Sequence, residues 1–483
     1  MKNLAMLNSI TRGEFAMEVI SKIVDAVNGI LWDKNILLFL LVGTGIWYTI
    51  QLKFIQVRGF GEGFRRTFGG LFKKSEKAGA DGMSQFQSLA TAIAAQVGTG
   101  NLAGAATAIA VGGPGAIFWM WVSAFFGMAT IYAEAVMAQK YKQVGEDKTV
   151  TGGPVYYIEG AFKGKFGKLL ASLFAIFIIL ALGFMGNAVQ SNSIAAAFDT
   201  AFGIKPIIIG FILAALSFVV FSGGISRIAK VTETIVPIMA LFYIIGSLIV
   251  ILVNFRNIPL AFQEIFVGAF APQSIAGGVI GATIQKAMSK GVARGLFSNE
   301  AGMGSTPHAH AVAKVDHPSE QGFVAMMGVF IDTFVILNLT ALVIITTRSV
   351  TPDGSIIGTA LTQAGFSSVF GKFGDIFIAI CMFFFAFSTI IGWYFFGEAN
   401  IKYLFGAKAV KIYGVLVCIC VLLGTLGEVS IVWTMSDMFN GLMVIPNLVA
   451  LLALTGTVKA VHNEFIKKNG GISSKDKKKN PTA

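Results

Sequence analysis

Residues Ser84 to Val111 read SQFQSLATAIAAQVGTGNLAGAATAIAV. The segment is apolar and long enough to cross a bilayer, which takes about 20 residues. Its middle is Gly98-Thr99-Gly100-Asn101. Glycine and asparagine disfavour a helix there by about 0.5–1 kcal/mol each relative to alanine. In hydrocarbon, an interrupted helix leaves backbone N–H and C=O groups unpaired. Such a break survives only where it is buried in protein or lines a cavity. Amides freed at a helix start suit an anion, and carbonyls freed at a helix end suit a cation. A solute site in a secondary transporter has this physics. The competing reading is a helix-packing face of small residues.

The 483 residues are 55% hydrophobic and only 13% charged, where a soluble chain carries about 25% charge. The mean hydropathy is +0.74, so the chain belongs in a membrane as a polytopic, all-α protein. A net charge of +12 invites a nucleic-acid partner. The basic residues sit in loops and at the tail, where the positive-inside rule places them, so no nucleic acid is expected. Cys381, Cys418 and Cys420 all lie in apolar spans. Neither a disulfide framework nor a zinc site is expected of them.

Outward from the quoted stretch, the apolar runs number about eleven. Residues 1–33 lack a signal-peptide core, and an interfacial helix is expected near Phe15–Trp32. The first span is about Ile36–Leu52, followed by a basic loop with Lys53, Arg58, Arg65, Arg66, Lys73, Lys74 and Lys77. After the broken second span come spans at about Ala116–Gln139, Leu169–Phe198, Pro206–Ser222 and Glu233–Asn254. The seventh covers Ser274–His310, and the last four are about Gln321–Thr347, Asp375–Gly397, Val410–Leu426 and Ile431–Leu454. A short helix at Pro154–Ala161 and an amphipathic piece at Ile356–Val369 lie between spans. Loop charge places the N-terminus outside and the lysine-rich tail in the cytoplasm of a cell membrane, which an odd number of spans requires.

The seventh span reaches Gly295-Leu296-Phe297-Ser298-Asn299-Glu300-Ala301-Gly302-Met303-Gly304, a second stretch expected to unwind at membrane depth. It lies five spans after the first break, so the two run in opposite directions. With the first span set aside, spans two to six and seven to eleven form a five-plus-five inverted repeat. The expected divisions are 1–83, 84–255, 256–458 and a basic tail, 459–483. Such halves place a solute site at the midplane between them.

Several stretches resemble one family. They are QVGTGNLAGAATAIAVGGPGAIFWMWVSAFFGMATIYAEAV (Gln96–Val136), GGPVYYIEG (Gly152–Gly160), GNAVQSN (Gly186–Asn192), RGLFSNEAGMGS (Arg294–Ser305) and FAFSTIIGWYFFGE (Phe385–Glu398). Together they look like the signature of the alanine or glycine:cation symporters, in order along the whole chain. The resemblance implies a leucine-transporter-type fold with one additional N-terminal helix, and sodium-coupled uptake of a small neutral amino acid. It implies no enzyme activity and no cofactor other than sodium as the coupling ion. A monomer in the bilayer is expected.

Thr99 and the amides of Gly100 and Asn101 suit the substrate carboxylate. By resemblance, the Asn101 side chain also sits beside a cation, and Gln190 lies in the pocket. Asn187 shares a helix face with Gln190, and an interhelical bond is the competing role for both. The substrate ammonium needs acceptors, and carbonyls around Phe297, Ser298 and Gly302 or the Asn299 side chain supply them. Phe297 and Trp393 would wall the pocket and leave room for little more than a methyl group. Sodium is a hard ion that takes oxygen ligands. In the related fold, adjacent hydroxyls such as Ser388 and Thr389 complete an ion site with the carbonyls of Ala94, Val97 and Phe385. Proton-coupled relatives of that fold place a lysine on the helix that is here Glu233–Asn254, whose interior has none.

Other intramembrane ionisable groups are Glu134, Lys286, Lys290, Asp332 and Asp437. Glu300 is expected to pair with Arg294, with neutralisation of the substrate ammonium as the alternative. Lys286, Lys290 and Arg294 share a helix face and are expected to meet water or acids such as Asp332. Glu134 caps or pairs locally. His308, His310 and His317 are expected in a wetted loop rather than around a metal. Gly98 to Ala103 fits G-x-G-x-x-A without the strand a dinucleotide needs. Asn338-Leu-Thr340 fits a glycosylation sequon inside a span. Rival functions are a proton-coupled or glutamine transporter, a channel or sensor, and a membrane enzyme.

Overall fold

The computed structural model describes residues 18–69, 79, 82–145, 149–271, 283–351, 354–427 and 429–472. Residues 1–17 (with the start of the expected interfacial helix), Lys73, Lys74 and Lys77, the start of the seventh span and most of the lysine tail lie outside these residues.

The molecule is an all-α membrane protein, with one two-residue strand pair at Gln143–Val144 and Val150–Thr151. Among the described residues, seven helices are long and apolar enough to cross a membrane, and three shorter apolar helices accompany them. Residues 18–33 are helical and lead through a left-handed Asn35 into α1 (Ile36–Gln51). Among the described residues this end carries no detached interfacial helix. Instead Asn28 and Trp32 donate to the backbone carbonyls of Thr434 and Asp437, at 2.9 and 3.2 Å.

The quoted stretch forms α2 (Gln85–Gln96), a break, a π turn over Gly100–Gly104, and α3 (Ala105–Gly112). Ser84 and Gln87 form a reciprocal capping box at its start, which satisfies two otherwise orphaned amides. The chain continues through α4 (Gly115–Lys140) and α5 (Pro154–Ala161). Next come α6 (Lys165–Phe202), α7 (Pro206–Phe221), α8 (Gly224–Val253) and α9 (Ile258–Phe270).

The second interrupted helix is α10 (Ile284–Asn299) with α11 (Pro307–Ala311). Its helix persists to Asn299, one turn beyond the Gly295 where the sequence suggested unwinding. Gly295 has Met120 of α4 for a neighbour, and a Cβ on Gly291 would lie 2.4 Å from the Ala116 carbonyl oxygen. These glycines serve close helix packing, and the break begins at Glu300.

The remaining helices are α12 (Pro318–Thr346), α13 (Gly358–Phe370), α14 (Lys372–Phe405), α15 (Ala409–Gly424), α16 (Val429–Ala453) and α17 (Thr455–Asn469). Both α6 and α12 contain a π segment, at Ile179–Gly186 and Phe330–Leu337. Packing between the two sets of helices is reciprocal. α4 lies on α12, α6 on α14 and α7 on α15. The short α5 covers α6 as α13 covers α14, and α16 contacts α6 as α8 contacts α14. α1 stands apart from this pattern and packs on α4.

Candidate functional site

The first break is three residues long. Val97 leaves the helix with ψ 86°, and Gly98 and Thr99 follow before the π turn. The second break, Glu300 to Thr306, contains Glu300 at φ 58°, Gly302 at 92° and Gly304 at 78°. A left-handed glutamate is uncommon. It turns the chain sharply out of α10.

The two breaks touch. A Cβ on Gly100 would lie 2.9 Å from Ser298 Cα, so only glycine admits this approach. Gln96 Nε2 donates to the Asn299 carbonyl at 2.7 Å. Beside this contact, Thr99 N–H donates to Gln190 Oε1 of α6 at 3.1 Å. The Thr99 hydroxyl and the Gln190 amide nitrogen are fully buried and have no hydrogen-bond partner. Buried polar groups are normally satisfied, and these two, side by side at the first break, have hydrogen-bonding capacity to offer a polar ligand. The Thr99 hydroxyl does not bond back to its own helix. Asn187 instead donates to its own helix at Gly183.

Phe297 and Trp393 meet edge to face with centroids 5.6 Å apart, and Trp433 backs Phe297 at 5.1 Å. Beyond Trp433 lies a cavity of about 430 Å³, lined by Ala103, Thr107, Asn192, Ser193, Arg294 and Trp433, with residues of α13 closing one side.

A residue given no firm role by the sequence joins the breaks. Asp332, in the π segment of α12, is fully buried. It accepts from Asn101 Nδ2 at 2.7 Å, from Ser298 Oγ at 2.9 and 3.0 Å, and from Thr333 Oγ1 at 2.9 Å. Asn101 Oδ1 accepts from Gly98 N–H at 3.0 Å. The Asn299 side chain is engaged by Ala301 N–H and Thr333, and the Gly302 carbonyl accepts from Asn447. Both of these acceptors are therefore already in use at the second break.

The second break is held from outside by Glu134 of α4. Its carboxylate accepts from Gly302 N–H and Gly304 N–H, both at 3.0 Å, and from Asn447 Nδ2 at 2.6 Å. Local capping was the right kind of role, but the partners lie across the bundle. The expected pairing of Glu300 with Arg294 is overturned. Arg294 forms a bidentate pair with Asp437 at 2.8 and 3.1 Å and lies 4.7 Å over Trp433. Glu300 turns away and accepts from Trp393 Nε1 and Ser305 Oγ, each at 2.5 Å. Nor does the basic face meet Asp332: Lys286 is exposed, and Asp332 is enclosed by neutral donors. His308, His310 and His317 are buried rather than wetted. His308 stacks between Phe174 and Phe396 and binds Ser305 and Asn400.

At the base of the first break, Thr389 Oγ1 lies 2.9 Å from Ala94 O and 3.0 Å from Phe385 O. Ser388 Oγ lies 2.9 Å from Phe385 O and 3.4 Å from Ala94 O. Four oxygens thus gather at the end of α2, where Val97 leaves the helix with ψ 86°. All of these residues are buried, and the donor set is all oxygen, as a hard monovalent cation requires. Their neighbour on α8 is the Met239 sulfur.

A helical membrane bundle in which two interrupted helices meet at a buried polar cradle is the construction of a secondary transporter. The chain belongs to the sodium:alanine symporter family, whose model matches residues 17–480. The sodium/alanine symporter AgcS of Methanococcus maripaludis is 42% identical across 92% of this chain and 98% of its own length. Amino-acid carrier protein AlsT of Bacillus subtilis is 41% identical, covering 89% of each chain. The probable sodium/glutamine symporter GlnT of the same organism is 41% identical over 91% and 90%. A solved manganese transporter from Eremococcus coleocola is 14% identical, with a TM-score of 0.49 over 77% of this chain and 76% of its own. The protein is accordingly a transporter and not an enzyme.

Proposed function

We propose that this protein is a sodium-coupled symporter of alanine or glycine that works by alternating access. The observation that carries the reading is the pair of orphaned polar groups, Thr99 Oγ1 and Gln190 Nε2, buried together at the first break. A substrate carboxylate satisfies that set, because every member donates or can donate. Ser298 and Asp332 line the other side and suit the ammonium. Phe297 and Trp393 close the space above the α-carbon.

Sodium binds at Ala94, Val97, Phe385, Ser388 and Thr389. The hydroxyls exchange their hydrogen bonds to carbonyls for the ion, and no lysine in the 233–253 portion of α8 competes for the place. Residues 84–255 and 256–458 form the two inverted halves of a leucine-transporter-type bundle, and their reciprocal packing supports this division. The N-terminus lies outside and the C-terminus in the cytoplasm, and the 430 Å³ cavity is the outer vestibule. The protein works as a monomer.

A glutamine substrate is favoured only by the name of one relative. The aromatic contact between Phe297 and Trp393 argues for a smaller side chain. Labelled alanine uptake into proteoliposomes tests the reading, with imposed sodium and proton gradients in separate arms. Concentrative uptake on sodium alone is expected. Uptake on protons alone would remove the ion site, and uptake of glutamine with no alanine transport would remove the substrate assignment.

A further inference from the structure

The carboxylate of Glu300 is fully buried and is used neither for the ion nor for the substrate in the scheme above. Its two oxygens are spent on Trp393 Nε1 and Ser305 Oγ. Both carboxyl oxygens are thus engaged, one by the indole and one by the hydroxyl. Trp393 is also confined on its other sides. Its ring meets Phe297 edge-on at 5.6 Å and 85°. Its Cζ3 presses on Gly186, where a built Cβ would come within 2.4 Å. The indole is therefore fixed at its nitrogen, along one edge and across one face.

We infer that Glu300 is a positioning residue that sets the substrate size limit by holding Trp393 in place. This rests on the assignment of Trp393 to the pocket wall. A wall excludes an extra methylene only if it cannot move aside. One methylene in a rigid apolar pocket is discriminated by about 10–200-fold. Freed from Glu300, the indole could turn about its two side-chain torsions and give up that space. The placement of Glu300 adds a consequence. It is the first residue out of α10 and sits at φ 58°, so any rewinding of the second break carries the carboxylate with it. The wall is then rigid only while the break holds its present shape, and size selection is tied to one conformation of the cycle.

The test uses full-length protein in proteoliposomes, with labelled alanine competed by 2-aminobutyrate, valine and leucine. Wild-type alanine uptake is measured first, and its absence overturns the functional reading itself. For E300A, the preference for alanine over 2-aminobutyrate is expected to fall about tenfold. The alanine KM should rise while the maximal rate stays within about threefold of wild type, since the coupling groups are untouched. E300Q retains an acceptor oxygen for the indole and is expected to discriminate within about twofold of wild type. W393F keeps a ring but loses the N–H, and should match E300A, with no further loss in the double variant. If E300A does not fold, W393F and E300Q carry the comparison. Wild-type discrimination in W393F, or E300Q discriminating no better than E300A, would overturn the inference.

Discussion

Asn101 donates its side-chain amide to Asp332 Oδ1 at 2.7 Å, and Ser298 donates to the same carboxylate. Asn101 follows the first break and Ser298 precedes the second, so one buried acid on α12 joins both interrupted helices. The link explains how two breaks separated by almost 200 residues keep a common geometry. Every side-chain bond to Asp332 comes from a neutral donor, two of them from the interrupted helices and one from its neighbour Thr333.

Replacing Asp332 by asparagine sets an amide donor against donors from Asn101, Ser298 or Thr333. An unsatisfied buried group costs about 1–3 kcal/mol, enough to shift the relative position of the breaks. Initial rates of sodium-driven alanine uptake by D332N are expected to fall at least about tenfold, with the protein still monodisperse in detergent. Wild-type uptake would reduce Asp332 to a packing group.

The double substitution Ser388→Ala and Thr389→Ala removes two of the four gathered oxygens and leaves the Ala94 and Phe385 carbonyls in place. A loss of about 1.4 kcal/mol is a tenfold change in affinity. The sodium concentration for half-maximal uptake should therefore rise about tenfold or more. At saturating sodium the maximal rate should recover most of its wild-type value. An unchanged sodium dependence would move the ion elsewhere.

Gly100→Ala places a methyl group 2.9 Å from the Cα of Ser298, and backbone cannot rotate aside as a side chain can. Overpacking of this sort costs about 1–3 kcal/mol, here at the contact between the breaks. Uptake is expected to be lost. The same change at Gly43 on α1, where no atom lies within 4 Å of the new methyl, is the control and should leave transport intact. Equal activity in the two variants would disprove the close approach.

Glu134→Ala strands the N–H groups of Gly302 and Gly304 and leaves the Asn447 amide with only its bond to the Gly302 carbonyl. At about 1–3 kcal/mol for each unsatisfied group, a large drop in thermal stability follows, readable as the unfolding midpoint in detergent. Glu134→Gln keeps one acceptor oxygen and should lie between. A midpoint for E134A within a degree of wild type would show that the break holds itself.

His462, on α17 beyond the last span, bonds the Tyr132 hydroxyl at 2.7 Å. Burial pushes its imidazole down from 6.5 to about 4, and Arg58 adds to this. The folded state thus binds fewer protons than the unfolded state between those values, so stability rises with pH in that window. The contribution is complete above about pH 6.5 and is lost as pH falls through about 4. It amounts to roughly 1–3 kcal/mol at most. His462→Gln should flatten the unfolding midpoint against pH between about 6.5 and 4, and an unchanged slope would assign it to another group.

The breaks were legible because local chemistry makes them: Gly98 and Gly100 weaken a helix whatever surrounds them. Ser388 and Thr389 stood out as adjacent hydroxyls in an apolar span. Asp332 was visible as an acid in a span, but its partners lie 231 and 34 residues away, beyond what spacing can show. The same holds for Glu134, whose three donors come from α16 and the second break. Glu300 misled because Arg294 is an obvious nearby partner of opposite charge. The left-handed turn at Glu300 then sends its side chain toward α14, and Asp437 takes the arginine. The histidines misled as polar residues at a span end, because α11 folds inward between aromatic rings. Gly295 shows that a glycine in a span can serve packing as readily as unwinding.

Gly98 sits between the two groups of oxygens. A Cβ there would lie 2.3 Å from Thr389 Oγ1 and 3.1 Å from Gln190 Oε1. The partition between the proposed ion and solute positions is therefore a single peptide unit with no side chain. A cell that admits sodium without its companion solute drains the gradient that drives its other uptake systems. In the proposed scheme, a partition this thin lets the filling of one position bear directly on the wall of the other. Resistance to a futile ion leak is thus built into one residue with no side chain, and enlarging that residue would sacrifice the economy of the whole membrane along with the uptake of one nutrient.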